Sequence, residues 1–334
     1  MGEGPVSGAR LVAVIALLCW AMAGMLAATL PAVPAHGAVR FKSLGEATLG
    51  GADSLAELKD ACEIADHHVW VQVDNRGDCI AFHPTAGLSN AKQAVFYFEG
   101  DIPATYRHNR RGLSRHLASL RSALDLLART YKVPYVLIAR PGTFGSTGSH
   151  EDRRKVREYQ LMRQAVEGIR TRFEIGEVSL AGQSGGATIA GALLTLGLTG
   201  VRCVAPASGG YDLGAMLDWH ASLRGYAPIH REHPASMSES LSVMDRLANV
   251  RHETRRRIFV IGDKDDKVTP FEQQRRFAEG LRATGHHAEL LEAEASGPDQ
   301  HGLALTALRV AGLCASGASD VDIRKFVAPG KPAN

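Results

Sequence analysis

The stretch "SLAGQSGGATIAGALL", Ser179 to Leu194, decides how this chain is read. Its opening residues suit a buried strand and its closing residues a helix of small side chains. Between them stands Gly182-Gln183-Ser184-Gly185-Gly186, the one G-x-S-x-G of the chain. One reading is packing alone, with glycines letting a strand and a helix approach closely. The other puts Ser184 on a strained strand-to-helix turn as a nucleophile. The second reading needs an acid and a histidine later in the chain, each just after a strand.

The flanking sequence supplies the strands. "HVWVQV" (His68 to Val73) and "CIAF" (Cys79 to Phe82) read as two strands joined by a tight turn, an antiparallel start. "AVFYFEG", "YVLIARPG", "EVSLAG", "VRCVAPAS", "RIFVIG" and "AELLEA" follow as continuous apolar runs. Such runs suit strands covered on both faces. Helical patterns separate them, at Leu113 to Tyr131, Asp152 to Phe173, Gly186 to Leu198, Phe271 to Ala283 and Leu303 to Cys314. The alternation predicts an α/β fold, a doubly wound, mostly parallel sheet with helices on both faces. Residues 209–256 exceed what a crossover needs and are expected to form a small cap. Residues 38–320 are read as one catalytic domain and 321–334 as a tail, with "APGKPAN" disordered.

In such sheets, sites collect at the carboxyl ends of the strands. After "RIFVIG" come Asp263, Asp265 and Asp266, any of which could orient an imidazole and stabilise its cation. After "AELLEA" comes His301, placed to take a proton from Ser184 and pass it to a leaving group. The other histidines, His67-His68 and His286-His287 among them, read as surface or packing residues. None of the cysteine spacings is a zinc pattern, and no metal or cofactor is expected.

Ser, then Asp, then His, each after a strand of a doubly wound sheet, resembles the α/β-hydrolase family. The resemblance runs from about Cys79 to Cys314. It implies a serine hydrolase working through a triad and an acyl-enzyme. The turn "GDKDDKVTP" is similar to the family's acid turn. That alignment selects Asp265, with Asp263 as the fallback, over Asp266. The resemblance also implies an oxyanion hole from the backbone N–H of Gly185 and that of Asp101, with Ile102 as the alternative. The family often has His-Gly where this chain has Glu99-Gly100. The loop "RPGTFGSTG" is given a structural role. The segment from Arg257 to His286 looks most like the prolyl-oligopeptidase and dienelactone-hydrolase branch, here without a β-propeller. An ester, thioester or amide carbonyl is the implied target, in a small molecule or short peptide. The alternatives are a peptidase of that branch or a non-catalytic binding protein on the same fold.

The composition, 45% hydrophobic and 22% charged, is that of an ordinary globular chain. The 334 residues carry 38 basic and 35 acidic side chains, a balance that points to neither nucleic acid nor an anionic membrane. Arg10 precedes an uncharged apolar run, Leu11 to Leu30, followed by "PAVPAHGA". This predicts a secretory signal over residues 1–37, cleaved near Gly37 or Ala38, with an uncleaved anchor as the alternative. The mature chain is then periplasmic or secreted and keeps Cys62, Cys79, Cys203 and Cys314. Cys62 and Cys79 are expected to pair, while Cys203 and Cys314 are read as small buried hydrophobes.

Overall fold

The computed structural model describes residues 54–103, 109–226 and 239–328. The expected signal, the middle of the expected cap and the end of the tail lie outside them.

The chain order is α1 (Ser54–Ile64), β1 (His68–Val73), β2 (Arg76–Pro84), β3 (Gln93–Phe98), α2 (Arg110–Tyr131), β4 (Tyr135–Ile138), α3 (Val156–Arg172), β5 (Glu177–Gln183), α4 (Gly185–Thr195), β6 (Val201–Ala207), α5 (Leu213–Ser222), β7 (Arg257–Gly262), α6 (Phe271–Ala283), β8 (Ala288–Glu292), α7 (Ala304–Ala315) and α8 (Asp320–Val327). Eight strands form one sheet in the order β1-β2-β4-β3-β5-β6-β7-β8. The pairs β1/β2 and β2/β4 are antiparallel and every later pair is parallel. This is the doubly wound, mostly parallel α/β sheet that the sequence predicts.

Alternation within each strand divides the core into two layers. Phe96 and Phe98 of β3 join Tyr159, Met162, Ile189 and Phe277 on the face covered by α3, α4 and α6. Val95 and Tyr97 join Leu120, Leu124, Leu308 and Ile323 on the opposite face, covered by α2, α7 and α8. In α2 the buried side chains are Leu120, Leu124 and Leu127, spaced four and three apart, so one stripe of a long helix faces the sheet. Helix α4 differs: every residue from Gly185 to Thr195 is buried, which its Gly, Ala, Thr, Ile and Leu composition permits.

Two expectations need correction. Cys203 of β6 and Cys314 of α7 are not free thiols but form a disulfide, as Cys62 and Cys79 do. Both lie in the same layer of the core, and their Cα atoms are 6.2 Å apart, within bridging range. The expected tail from residue 321 begins instead as helix α8. Ser319 caps it by accepting from the Asp322 N–H, and Ile323 and Val327 are buried beneath it. Within 209–256 the described part contains α5 and a 3-10 turn, Met244–Asn249. Among the described residues no helix is long and apolar enough to cross a membrane.

Candidate active site

Strand β5 delivers Ser184 to the mouth of the sheet with φ 54° and ψ −120°. A non-glycine residue held there costs roughly 1–3 kcal/mol, so the surrounding structure must enforce the turn. Two glycines allow it. A side chain at Gly182 would run into the Gly186 carbonyl, and one at Gly186 into the Phe98 carbonyl of β3. The Ser184 N–H donates to Ala207 O of β6 at 2.9 Å. Ser184 is thereby left at the top of the turn, partly exposed.

The carboxylate that meets His301 is Asp266, one residue beyond the expected Asp265. His301 Nδ1 lies 2.8 Å from Asp266 Oδ2 and 3.0 Å from Oδ1. The Asp266 carboxylate is 1% exposed, and its Oδ1 also accepts the N–H groups of Val268 and Thr269 at 2.8 and 2.9 Å. Asp265 is exposed and takes no part. Asp263, the fallback, shapes the turn instead. Its Oδ1 accepts the Asp265 N–H at 2.8 Å and its Oδ2 the Ala295 N–H at 2.7 Å. That pair of bonds folds the acid turn tightly and ties it to the loop carrying His301. The turn's rotation then brings Asp266 inward and Asp265 outward.

The His301 loop is closed on itself, with Ser296 and Gly302 exchanging N–H···O bonds at 3.0 Å. With Nδ1 donating to Asp266, the imidazole presents Nε2 as an acceptor, the tautomer a general base needs. Among the described residues no hydrogen bond joins the Ser184 hydroxyl to His301. Such bonds are commonly long in free enzymes and tighten with substrate.

Gln183 is a residue that the motif reading passes over. It is buried, immediately precedes Ser184, and reaches across to the backbone at His301 and just beyond it. Its Nε2 donates to His301 O at 2.6 Å and its Oε1 accepts the Leu303 N–H at 2.9 Å. A side-chain amide as the variable residue of G-x-S-x-G was the available signal.

The expected oxyanion donors also meet at this turn. A Cβ on Gly100 would sit 3.3 Å from Gln183 O and 3.4 Å from Ser184 Cβ, so the loop after β3 lies directly against Ser184. Gly185 opens α4, where the first N–H groups have no partner within the helix. Ile102 is not a free donor, because its N–H is given to His150 Nε2 at 3.1 Å. Of the two candidates in this loop, that leaves Asp101. The Asp101 carboxylate is bound by Arg140 Nη1 at 2.7 Å and by Arg154 Nη2 at 2.8 Å. Burial opposes its charge, but the two guanidinium groups outweigh burial and hold the carboxyl well below the usual carboxylate range. Arg140 is a second residue missed in the sequence. Its signal was an arginine at the end of a wholly apolar strand. The loop "RPGTFGSTG" is a closed structural turn, with Gly142 N–H on Thr147 O and Thr147 N–H on Cys79 O, each at 2.9 Å.

Two surface depressions, of about 550 and 260 Å³, are lined by Arg110, Arg111, Ser114 and Arg115 and by residues around Thr85 and Pro134. Neither is lined by Ser184, Asp266 or His301.

No family model and no curated protein matches this sequence. Solved structures match the fold. Est1E from Butyrivibrio proteoclasticus, solved with ferulic acid, aligns with a TM-score of 0.51 at 11% identity, over 77% of this chain and 97% of its own. VinJ aligns with a TM-score of 0.50 at 14% identity, over 79% of this chain and 99% of its own. With the strand order, these likenesses show that the chain has the α/β-hydrolase fold.

Proposed function

We propose that the chain is an exported serine hydrolase acting on a carboxylic ester. The observation that carries the reading is the pairing of His301 Nδ1 with the buried Asp266 carboxylate at 2.8 Å, on a loop that Gln183 fastens to the Ser184 turn.

Ser184 Oγ attacks the carbonyl carbon while His301 Nε2 takes its proton. Asp266 holds the imidazole and stabilises the imidazolium. The N–H groups of Gly185 and Asp101 receive the oxyanion. The tetrahedral intermediate collapses, His301 protonates the departing alkoxide, and an acyl-Ser184 remains. Water, deprotonated by His301, then releases the acid and restores the serine. All parts come from side chains and backbone of this chain. An ester is favoured over an amide because an alcohol leaves more readily than an amine. Two disulfides and the apolar N-terminal sequence support export to an oxidising compartment.

The test is labelling by a fluorophosphonate probe and turnover of p-nitrophenyl esters of graded chain length, beside peptide amides. The wild type is expected to label at Ser184 and to prefer an ester, and Ser184→Ala to lose both properties while keeping its fold. Full turnover by Ser184→Ala would end the reading. A folded wild type that neither labels nor turns over would leave a binding protein on a hydrolase fold.

A further inference from the structure

A partly buried ion network anchors the loop after β3. Arg140, just past β4, is 2% exposed, and so is Glu158 in the first turn of α3. Arg140 Nε donates to Glu158 Oε1 at 2.8 Å, and its Nη1 donates to Asp101 Oδ1 at 2.7 Å and to Glu99 O at 3.4 Å. Glu158 Oε2 accepts the Arg154 N–H at 2.6 Å, and Arg154 Nη2 returns to Asp101 Oδ2 at 2.8 Å. Two carboxylates, the Arg140 guanidinium, and Arg154 through both its backbone N–H and its guanidinium thus form a closed circuit between β3, β4 and α3, and Arg153 Nε lies 3.6 Å from Asp101 Oδ2 at its edge.

Such a circuit is a poor device for stability alone. The desolvation of buried ions offsets most of their attraction, and apolar replacements of similar volume are often neutral or better. What it supplies is a fixed position. Its placement says whose: a Cβ on Gly185 would meet Asp101 Oδ1 and would lie 2.8 Å from Arg140 Nη1. The Arg140–Asp101 pair therefore belongs to one candidate donor residue and packs on the Cα of the other.

Resting on the hydrolase reading, we propose that Arg140 is a positioning residue for the oxyanion hole, its ion pair with Asp101 setting the Asp101 N–H beside that of Gly185 and turning the Asp101 carboxylate away from the developing oxyanion. An untethered carboxylate there would repel the oxyanion, and an untethered loop would misplace a donor. Losing one oxyanion donor costs about 100- to 1,000-fold in kcat, so loosening one is expected to cost about tenfold.

The experiment compares Asp101→Ala, which keeps the N–H and loses the tether, with Asp101→Asn, whose amide oxygen still accepts from Arg140. Asp101→Ala is expected to lower kcat about tenfold with KM changed less than about threefold, and to weaken a boronic acid transition-state mimic in parallel. Asp101→Asn is expected to recover most of both. If Asp101→Ala fails to fold, Arg154→Ala at the half-exposed rim of the circuit is expected to show the same pattern at about threefold. Wild-type kcat and mimic affinity in the folded variant, a loss confined to KM, or no recovery by Asp101→Asn overturns the role. A wild type that never labels at Ser184 overturns the hydrolase reading and this role together. Normal wild-type turnover with an unaffected variant overturns this role alone.

Discussion

Gln183 and His301 are joined across 118 residues of chain by one hydrogen bond, Nε2 of the glutamine to the histidine carbonyl at 2.6 Å. The same amide accepts the Leu303 N–H at 2.9 Å, so a single side chain holds the backbone that leaves His301 at two points. Because Gln183 is the residue before Ser184, these two bonds tie the Ser184 turn directly to the loop that carries His301.

That arrangement predicts a kinetic phenotype for Gln183→Met, which keeps the volume and loses both bonds. Acylation by a chromogenic ester is expected to slow by about 10- to 100-fold, since roughly 1 Å of misplacement costs about 100-fold. The Leu303 N–H, left buried and unpaired, is expected to lower stability by about 1–3 kcal/mol. Stopped-flow acylation measured beside urea unfolding separates the two. An acylation rate equal to wild type in a folded variant would remove Gln183 from the site.

The acid turn gives a sharper contrast between neighbours. Asp266→Asn is expected to reduce kcat by roughly 10,000-fold, because an amide cannot hold the base tautomer of His301. Asp265→Asn, at an exposed carboxylate that does not contact His301, is expected to stay within about twofold. Steady-state kinetics of the two variants decide the matter. Equal losses, or a greater loss in Asp265→Asn, would contradict the geometry.

These neighbours also show how far the sequence could be read. β7 and α6 match their sequence-based bounds, Arg257 to Gly262 and Phe271 to Ala283, because apolar runs and helical spacing are local signals. The order Ser, Asp, His was legible for the same reason, as each residue follows a readable strand. The choice among Asp263, Asp265 and Asp266 was not local. It turns on the rotation of one tight turn, set by Asp263 accepting from both Asp265 and Ala295. The Cys203–Cys314 bond and the Arg140 circuit share this character. Each joins residues from distant elements, and only the folded sheet brings them together.

The two disulfides close loops of unequal length, with sequence separations of 17 and 111. On the chain-entropy model these correspond to about 3 and about 5 kcal/mol of stabilisation. Cys203→Ser with Cys314→Ser is therefore expected to cost more than Cys62→Ser with Cys79→Ser, read as the loss in urea unfolding free energy. A wild type whose unfolding midpoint is unchanged by strong reductant would show that neither bond contributes.

A pH dependence comes from His83 in β2. Burial pushes its imidazole down to about 4, against a smaller opposite effect of its bond to the Phe144 carbonyl. The folded state thus binds a proton there less readily than the unfolded state, whose histidine titrates near 6.5. Stability rises with pH wherever the unfolded state holds more protons. The His83 contribution is therefore intact above about pH 6.5 and is lost progressively as pH falls towards 4. His83→Gln keeps a donor for Phe144 O and has no proton to gain. Its melting temperature is expected to fall less steeply than the wild type's between pH 7 and pH 4.5, and the two curves to converge above pH 7 apart from a constant offset. Parallel curves across the whole window would show that His83 is not the group that makes the fold acid-sensitive.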